Sequence, residues 1–247
     1  FLLHFGPSHY NDLFRCEEPY FSRRGKGSAK EFVAKYCENY AKTNGRGLIC
    51  IPSGNHDMDR LARTLDPEEM KIAFAFLLSM PGAPFIYYGD EIGMRYVENL
   101  TSVEGGYNRT GSRSPMQWNT SANAGFSSAP SEKLYVPVDP DRNRPNAENE
   151  MADDTSLYSE VKRLIALRMA HPALQSMAAI HFLSDGDPLI YERTCDKERI
   201  LVIIHPADRK MVVPDVKGEI LYTVGGNASV TKDGIAVDGE TAVFLAL

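Results

Sequence analysis

The sequence contains few cysteines. Its 247 residues include four, Cys16, Cys37, Cys50 and Cys195, and no two of them have the C-x-x-C spacing typical of a structural zinc site. Four thiols are also too sparse for a disulfide scaffold in a chain of this length. We therefore expect free thiols and no cysteine-built metal centre, a composition that favours a reducing, cytoplasmic compartment.

Long apolar runs and long basic runs are absent as well. No apolar stretch approaches the roughly 18 residues that a membrane span requires. The net charge is -6 and no run of Lys or Arg exceeds two residues, so neither a membrane nor a nucleic acid is expected as a partner. With 43% hydrophobic residues, the chain can instead build one sizeable core and a small additional domain.

Three short apolar segments in the N-terminal part read as strands. They cover residues 1–5, 48–51 and 84–88, and a helical pattern separates each strand from the next. Strands that alternate with helices form parallel sheets with right-handed crossovers. The sequence therefore predicts three βα units in series. A closed (β/α)8 barrel needs eight units and roughly 250 residues.

Two of the intervening helices carry start signals. The first is predicted over 28–42, with Ser28 and Glu31 placed as a capping box. The second begins after Asp66, which is placed as the N-cap, with Pro67 at the first helical position. Its apolar stripe ends at Met80-Pro81-Gly82.

The pattern changes twice in the C-terminal part. Residues 95–152 have no clear period, and a loop of that length in a compact domain is usually functional or disordered. A helix is then predicted over 154–170, closed by Pro172. From Ile180 onward, alternating apolar residues and turn signals predict a small antiparallel β domain. The strands named from this pattern are 189–191, 200–204, 210–213, 220–222 and 242–245.

Polar side chains follow the second strand abruptly. The apolar run 47–51 leads through Pro52-Ser53-Gly54 into Asn55-His56-Asp57. Parallel strands are buried on both faces, so polarity begins where the strand leaves the core. In a βα-barrel, side chains at that end of a strand face the active site. The Asn55-His56-Asp57 segment is therefore the first candidate site.

Three further motifs occur in a fixed order after it: Tyr88 to Met94, Asn108 to Trp118 with Asn123 to Ser127, and Ile165 to Leu174. Together with Asn55-His56-Asp57, they resemble the α-glucosidase, oligo-1,6-glucosidase and trehalose synthase branch of the α-amylase superfamily. The resemblance implies an α/β fold in which residues 1–174 form the last three βα units of a TIM-type (β/α)8 barrel. Residues 175–247 would then form a small antiparallel β-sandwich domain.

The same resemblance implies site residues. Asp57 would be the third carboxylate of the catalytic set, which stabilises the transition state, and His56 would donate to a hydroxyl of the same sugar. Arg109 would hold the non-reducing end of an α-linked gluco-oligosaccharide, and Arg60 would line the neighbouring leaving-group subsite. Arg113 is expected to be structural, paired with a carboxylate beneath its loop. No cofactor is implied.

The resemblance also implies what this chain lacks. Retaining glycosidases need a nucleophile and a general acid/base, which in this family follow the fourth and fifth barrel strands. No matching segments occur in this sequence, so we expect a fragment without glycosidase activity of its own, completed by the N-terminal half of the barrel. The alternatives are part of a trehalose synthase-type transglycosidase, a non-catalytic carbohydrate-binding module, and one chain of a split enzyme.

Overall fold

The computed structural model of the chain describes residues 2–3, 8–103, 105 and 107–247. The α-helices are α1 (Tyr10–Phe14), α2 (Lys30–Thr43), α3 (Pro67–Ser79), α4 (Ala147–Ala152) and α5 (Leu157–Ala170). The strands are β1 (Leu2–Leu3), β2 (Ile49–Cys50), β3 (Ala179–Asp185), β4 (Leu189–Cys195), β5 (Glu198–His205), β6 (Met211–Pro214), β7 (Glu219–Gly225), β8 (Ala228–Thr231), β9 (Gly234–Val237) and β10 (Thr241–Ala246). None of the helices in this part of the chain combines the length and the apolar character that crossing a bilayer demands.

The N-terminal part contains a short parallel sheet. Strands β1 and β2 pair in parallel, as predicted, although most of the predicted strand over 1–5 lies outside the described residues. The prediction of a regular third strand over 84–88 is wrong, because this segment joins β2 only through a bridge between Pro52 and Phe85. After the bridge, the Tyr87 N–H donates to Ser53 Oγ and the Ser53 carbonyl accepts from Arg15, so the backbone ladder does not continue on that side.

Helix α3 begins as the sequence predicts. The Asp66 carboxylate accepts the backbone N–H groups of Glu68 and Glu69, and the Glu69 carboxylate accepts that of Asp66, so the capping box is complete. The helix is buried around most of its circumference. It therefore packs against other elements of the structure on most of its sides.

Helix α2 begins later than the sequence predicts. Its N-cap is Ala29 and no side chain caps it, so the predicted capping box of Ser28 and Glu31 is wrong. Ser28 lies one residue before the cap, and its Oγ accepts the Lys30 N–H at 3.2 Å. The helix is still held by its apolar face, on which Phe32, Val33 and Tyr36 are buried.

The C-terminal part is a pair of antiparallel sheets. The larger has the strand order β3-β4-β5-β10-β7 and the smaller has the order β6-β9-β8. Alternate residues of β5 enter different cores: Ile200, Val202 and Ile204 contact the core that includes α3, whereas Leu201 and Ile203 contact the core shared with the smaller sheet. The larger sheet is thus covered on both faces, and its core is continuous with that of the preceding helices.

Two buried arginines, Arg168 of α5 and Arg193 of β4, bind the end of α3. Arg168 donates to the carbonyls of Leu78, Met80 and Gly82 at 2.6 to 2.8 Å. Arg193 donates to the carbonyl of Ser79 and to four others, those of Ala179, Leu174, Gln175 and Ala178. The last carbonyls of a helix have no partner within it. Burial, with the nearby Arg168 charge, lowers the pKa of Arg193 to about 10, so the guanidinium stays charged at neutral pH.

Replacing Arg193 should destabilise the chain strongly. In R193M the carbonyls that Arg193 satisfies stay buried without a donor, and each such group costs about 1–3 kcal/mol. We expect the free energy of unfolding in urea to fall by about 3 kcal/mol or more. R199M is the control, because Arg199 is 60% exposed in its ion pair with Glu192 and such pairs contribute at most about 1 kcal/mol. Equal losses in the two variants would contradict this role for Arg193.

A buried carboxylate fixes the segment that carries the predicted site. Asp90 is fully buried; its Oδ2 accepts the Ser53 hydroxyl at 2.7 Å and its Oδ1 pairs with Arg60 Nη1 at 3.2 Å. Ser53 Oγ also accepts the Tyr87 N–H at 2.9 Å, in place of the missing ladder bond. Arg15 donates to the Ser53 carbonyl from the other side. These contacts join the end of β2 to the 84–90 segment.

The stability contributed by Asp90 should depend on pH. Burial raises the pKa of Asp90, and the nearby Arg60 and Arg15 charges only partly oppose it. A carboxyl whose pKa is higher in the folded than in the unfolded chain binds its proton more tightly in the folded state. The wild type should therefore lose stability relative to D90N as pH rises from about 4, the unfolded value, through the folded pKa.

Urea unfolding of wild type and D90N at a series of pH values between about 4 and 8 measures this difference directly. D196N, at an exposed turn between β4 and β5, controls for the change in net charge. If the free energy of unfolding of the wild type instead rose with pH relative to that of D90N, the pKa of Asp90 would be lowered and not raised.

Candidate functional site

A tight turn after β2 brings His56 and Asp57 to the surface. Asn55 Oδ1 accepts the Asp57 N–H at 2.7 Å, the side-chain-to-backbone turn that asparagine favours. Gly54 is required just before it, because a Cβ there would lie 2.9 Å from Asp90 Oδ2 and 3.1 Å from Arg15 Nη2. The chain therefore leaves the core immediately above the buried Asp90, and the next two polar side chains are exposed.

The long segment 95–152 returns to this turn. Its 3-10 helix Tyr107–Arg113 is held by Ser112 Oγ, which donates to the Met58 carbonyl at 2.7 Å. Just after it, the Tyr88 hydroxyl donates to the Ser114 carbonyl at 2.8 Å. Gly111 allows a close approach, since a Cβ there would lie 2.2 Å from the Val97 carbonyl oxygen. In its described residues this segment is a folded loop, packed over the end of β2.

The loop places two guanidinium groups on one carboxylate oxygen. Arg109 Nη1 and Arg113 Nη2 lie 2.9 and 3.0 Å from Asp57 Oδ1. His56 Nε2 faces the other oxygen, Oδ2, at 3.4 Å. Asp57 is 47% exposed, so its second oxygen can reach a ligand in solvent. The structure thus brings together three of the four predicted site residues, Asp57, His56 and Arg109; their roles stay predictions.

Arg60 does not join this group. Its side chain is fully buried, pairs with Asp90 and donates to the Tyr88 carbonyl. The guanidinium carbon lies 4.7 Å from the ring centroids of both Tyr87 and Tyr88. The prediction that Arg60 lines the leaving-group subsite is therefore corrected. Its guanidinium is enclosed by two rings and a carboxylate, so it supports the site from beneath and is not exposed to a sugar.

Arg113 completes the group around Asp57. The expectation that it pairs with a carboxylate beneath its loop is confirmed, and that carboxylate is Asp57 itself. Its Nε also donates to the His56 carbonyl at 2.9 Å. The available signal was its place four residues after Arg109 in the same motif.

An apolar cavity adjoins Arg113. It has a volume of about 520 Å³, and one wall carries Glu91, whose Oε2 is buried without a hydrogen-bond partner among the described residues. Burial raises the pKa of Glu91, against two backbone hydrogen bonds that lower it. Trp118 lines the cavity and is 51% exposed. The other lining residues are Tyr88, Pro115, Met116, Phe126, Tyr135 and Val136.

Among the residues that the structure describes, no cluster of three or more His, Cys, Asp or Glu side chains could hold a metal ion. The polar groups gathered at the turn are one exposed carboxylate, two guanidinium groups and an imidazole.

Comparisons with known proteins give relatives of several kinds. Trehalose synthase/amylase TreS of Mycobacterium tuberculosis (strain CDC 1551 / Oshkosh) is 39% identical over 137 residues, 53% of this chain and 22% of that protein. Oligo-1,6-glucosidase of Parageobacillus thermoglucosidasius is 30% identical over 209 residues, 69% of this chain and 36% of that protein. Amino acid transporter heavy chain SLC3A1 of Homo sapiens is 29% identical over 179 residues, 72% of this chain and 25% of that protein.

Solved structures share the fold. A mutant of trehalulose synthase MutB, crystallised with Tris, superposes with a TM-score of 0.79 over 99% of this chain and 51% of that chain, at 22% sequence identity. This chain thus spans about half of that structure and between a fifth and two fifths of the two bacterial relatives. The family model described as Alpha amylase, catalytic domain, matches residues 26–177, which is more than half of the chain. The resemblance read from the motifs is therefore confirmed, and the chain belongs to the α-amylase catalytic-domain family.

Proposed function

We propose that this chain is the C-terminal portion of a retaining enzyme that acts on α-glucosidic bonds of short gluco-oligosaccharides. Residues 1–174 would be the last three βα units of its barrel, and 175–247 its β-sandwich domain. The observation that carries the proposal is the exposed Asp57 at the end of a parallel strand, with Arg109, Arg113 and His56 gathered on its carboxylate.

The geometry supports a role for Asp57 in the transition state. Glycosidic bond cleavage places positive charge on the sugar ring, and hydrogen bonds from ring hydroxyls to a fixed carboxylate strengthen as that charge develops. Asp57 Oδ1 is already held by the two arginines, so Oδ2 is the oxygen placed to accept sugar hydroxyls. His56 Nε2, beside Oδ2, would donate to a neighbouring hydroxyl. Arg109 would turn from Asp57 to the non-reducing end of the substrate.

The two principal carboxyls would come from the rest of the barrel. In a retaining mechanism, one carboxylate attacks the anomeric carbon while a second carboxyl about 5 Å away protonates the departing oxygen. Water, deprotonated by that second group, then releases the sugar from the first. Within the described residues, Asp90 is buried in its ion pair and cannot reach a substrate.

The open edge of the barrel portion supports the same proposal. Tyr88 and Ile165 are 38% and 42% exposed, and they line an apolar cavity of about 380 Å³ between the 84–88 segment and α5. In a closed barrel, the strand and helix that follow in the circle would cover this face. The first part of the barrel would therefore complete both the sheet and the catalytic set.

A transglycosidase of the trehalose synthase type is the second candidate. It is supported by the 39% identity to a trehalose synthase/amylase over 137 residues, whereas the 30% identity to an oligo-1,6-glucosidase extends over 209 residues. Both reactions pass through the same glycosyl-enzyme intermediate and differ in whether water or a retained sugar accepts the glucosyl group. Product analysis after incubation of the completed enzyme with maltose separates them: glucose alone indicates hydrolysis, and trehalose indicates rearrangement.

The chain alone should not hydrolyse p-nitrophenyl α-glucoside or maltose, because it supplies only one carboxylate of the catalytic set. Purified chain and its D57N variant should both give the background rate by product release. The enzyme that contains the whole barrel serves as the positive control. Turnover by the chain that disappears in D57N would show that the other carboxyls lie within it, and the fragment proposal would be wrong.

In the enzyme with the whole barrel, D57N should lower kcat for p-nitrophenyl α-glucoside by at least about a hundredfold, the loss typical of removing one charge-stabilising group. D59N is the matched control: Asp59 lies two residues away with similar exposure, but it pairs with Arg63 at 2.8 Å. One relative of this chain is an amino acid transporter heavy chain, so similarity alone does not establish catalysis. An active D57N enzyme would contradict the proposed role.

A further inference from the structure

Arg113 contacts both residues that the proposed function places on the sugar. Its Nε donates to the His56 carbonyl at 2.9 Å, and its Nη2 pairs with Asp57 Oδ1 at 3.0 Å. We propose that Arg113 is a positioning residue, which fixes the orientation of the Asp57 carboxylate so that Oδ2 faces the substrate. This inference rests on the proposed function of Asp57.

The side chain of Asp57 needs such a support. The torsion that turns an aspartate carboxylate has broad, roughly twofold preferences, so the two oxygens of an exposed group exchange easily. A charged hydrogen bond to one oxygen selects one orientation. The backbone turn at Asn55 fixes where Asp57 begins, but it does not fix the carboxylate plane.

Arg113 is less exposed than Arg109, the other guanidinium on Oδ1, which also donates to the Gly105 carbonyl at 3.1 Å. Its side chain is 27% exposed, against 44% for Arg109. Its neighbours on both sides are anchored, because Ser112 Oγ donates to the Met58 carbonyl and the Ser114 carbonyl accepts the Tyr88 hydroxyl. Of the two, the more exposed Arg109 would be the one that turns to the substrate, while Arg113 keeps its contact with Asp57.

The planar guanidinium suits two acceptors at once. Nε and Nη2 lie on one edge of the group, and they reach the His56 carbonyl and the Asp57 carboxylate together. A lysine carries one charged nitrogen without a fixed direction, so it cannot reproduce this fork. The contact therefore ties the backbone of the first sugar-contacting residue to the side chain of the second.

The test compares R113M and R113K in the enzyme with the whole barrel, with R142M as the control, since Arg142 is an exposed residue of the same loop. Arg113 does not touch the sugar, so R113M should lower kcat for p-nitrophenyl α-glucoside about a hundredfold and change KM less than about threefold. R113K should recover part of the loss. Added guanidinium ion, at concentrations that do not unfold the enzyme, should raise kcat of R113M and leave R142M unchanged.

Three outcomes would overturn the inference: an unchanged kcat in R113M, a rise in KM without a fall in kcat, or a loss of kcat that neither R113K nor guanidinium ion restores. The last outcome would mean that Arg113 only stabilises its loop. Unfolding of the same variants in urea would then show an equal loss of stability in R113M and R113K. An inactive D57N with a fully active R113M would reject this inference and leave the proposed function standing. An active D57N would reject the proposed function itself.

Discussion

The arrangement of the site depends on the burial of one carboxylate, Asp90. It holds Ser53 through one oxygen and Arg60 through the other, and Arg60 in turn lies against the rings of Tyr87 and Tyr88. A buried charge is costly unless it is paired and hydrogen-bonded, so the partners of Asp90 have little freedom to move. Through them, the end of β2 and the 84–90 segment keep a fixed separation although only one bridge joins their backbones.

The exposed half of the site is built on this support. The turn at Asn55 starts directly after the residues that Asp90 holds, and the loop that brings Arg109 and Arg113 is attached at Met58 and Tyr88. One attachment joins the Ser112 hydroxyl to the Met58 carbonyl and the other joins the Tyr88 hydroxyl to the Ser114 carbonyl, so the loop position follows the two segments beneath it. The buried ion pair of Asp90 and Arg60 therefore supports the exposed group of Asp57, Arg109 and Arg113. A catalytic site needs such support, because its charged groups must be held in place before the substrate binds.

The larger C-terminal sheet has a part in the same construction. Arg193 of its strand β4 donates to the Ser79 carbonyl at the end of α3, and Tyr191 of the same strand bonds the Ser79 hydroxyl at 2.6 Å. Arg168 of α5 satisfies the neighbouring carbonyls of Leu78 and Met80. The core of the sheet is continuous with the core around α3. The proposed boundary at residue 174 thus divides segments that share one core, and the proposed sandwich would act as a support for the barrel portion.

The sequence predicted those features that depend on residues close to one another along the chain. Asp66 and Pro67 give the start of α3, and the polar residues after an apolar run give the position of Asp57. Contacts between distant segments could not be read in this way. Arg60 is buried because it pairs with Asp90, which lies thirty residues later in the sequence. Arg113 contacts Asp57 because the fold brings together two residues that are 56 positions apart. The predicted third strand is absent because the Tyr87 N–H donates to the Ser53 hydroxyl and the Ser53 carbonyl accepts from Arg15, so side chains replace the ladder.

The most direct test of the account is a crystal structure of the enzyme with the whole barrel and 1-deoxynojirimycin, a glucose-shaped amine. We expect the ring to lie within hydrogen-bond distance of Asp57 Oδ2 and His56 Nε2, with Arg109 turned to the ring and Arg113 still on Asp57 Oδ1. A ring bound elsewhere, with both arginines still closed on Asp57, would show that this cluster is a structural ion pair and not part of a sugar site.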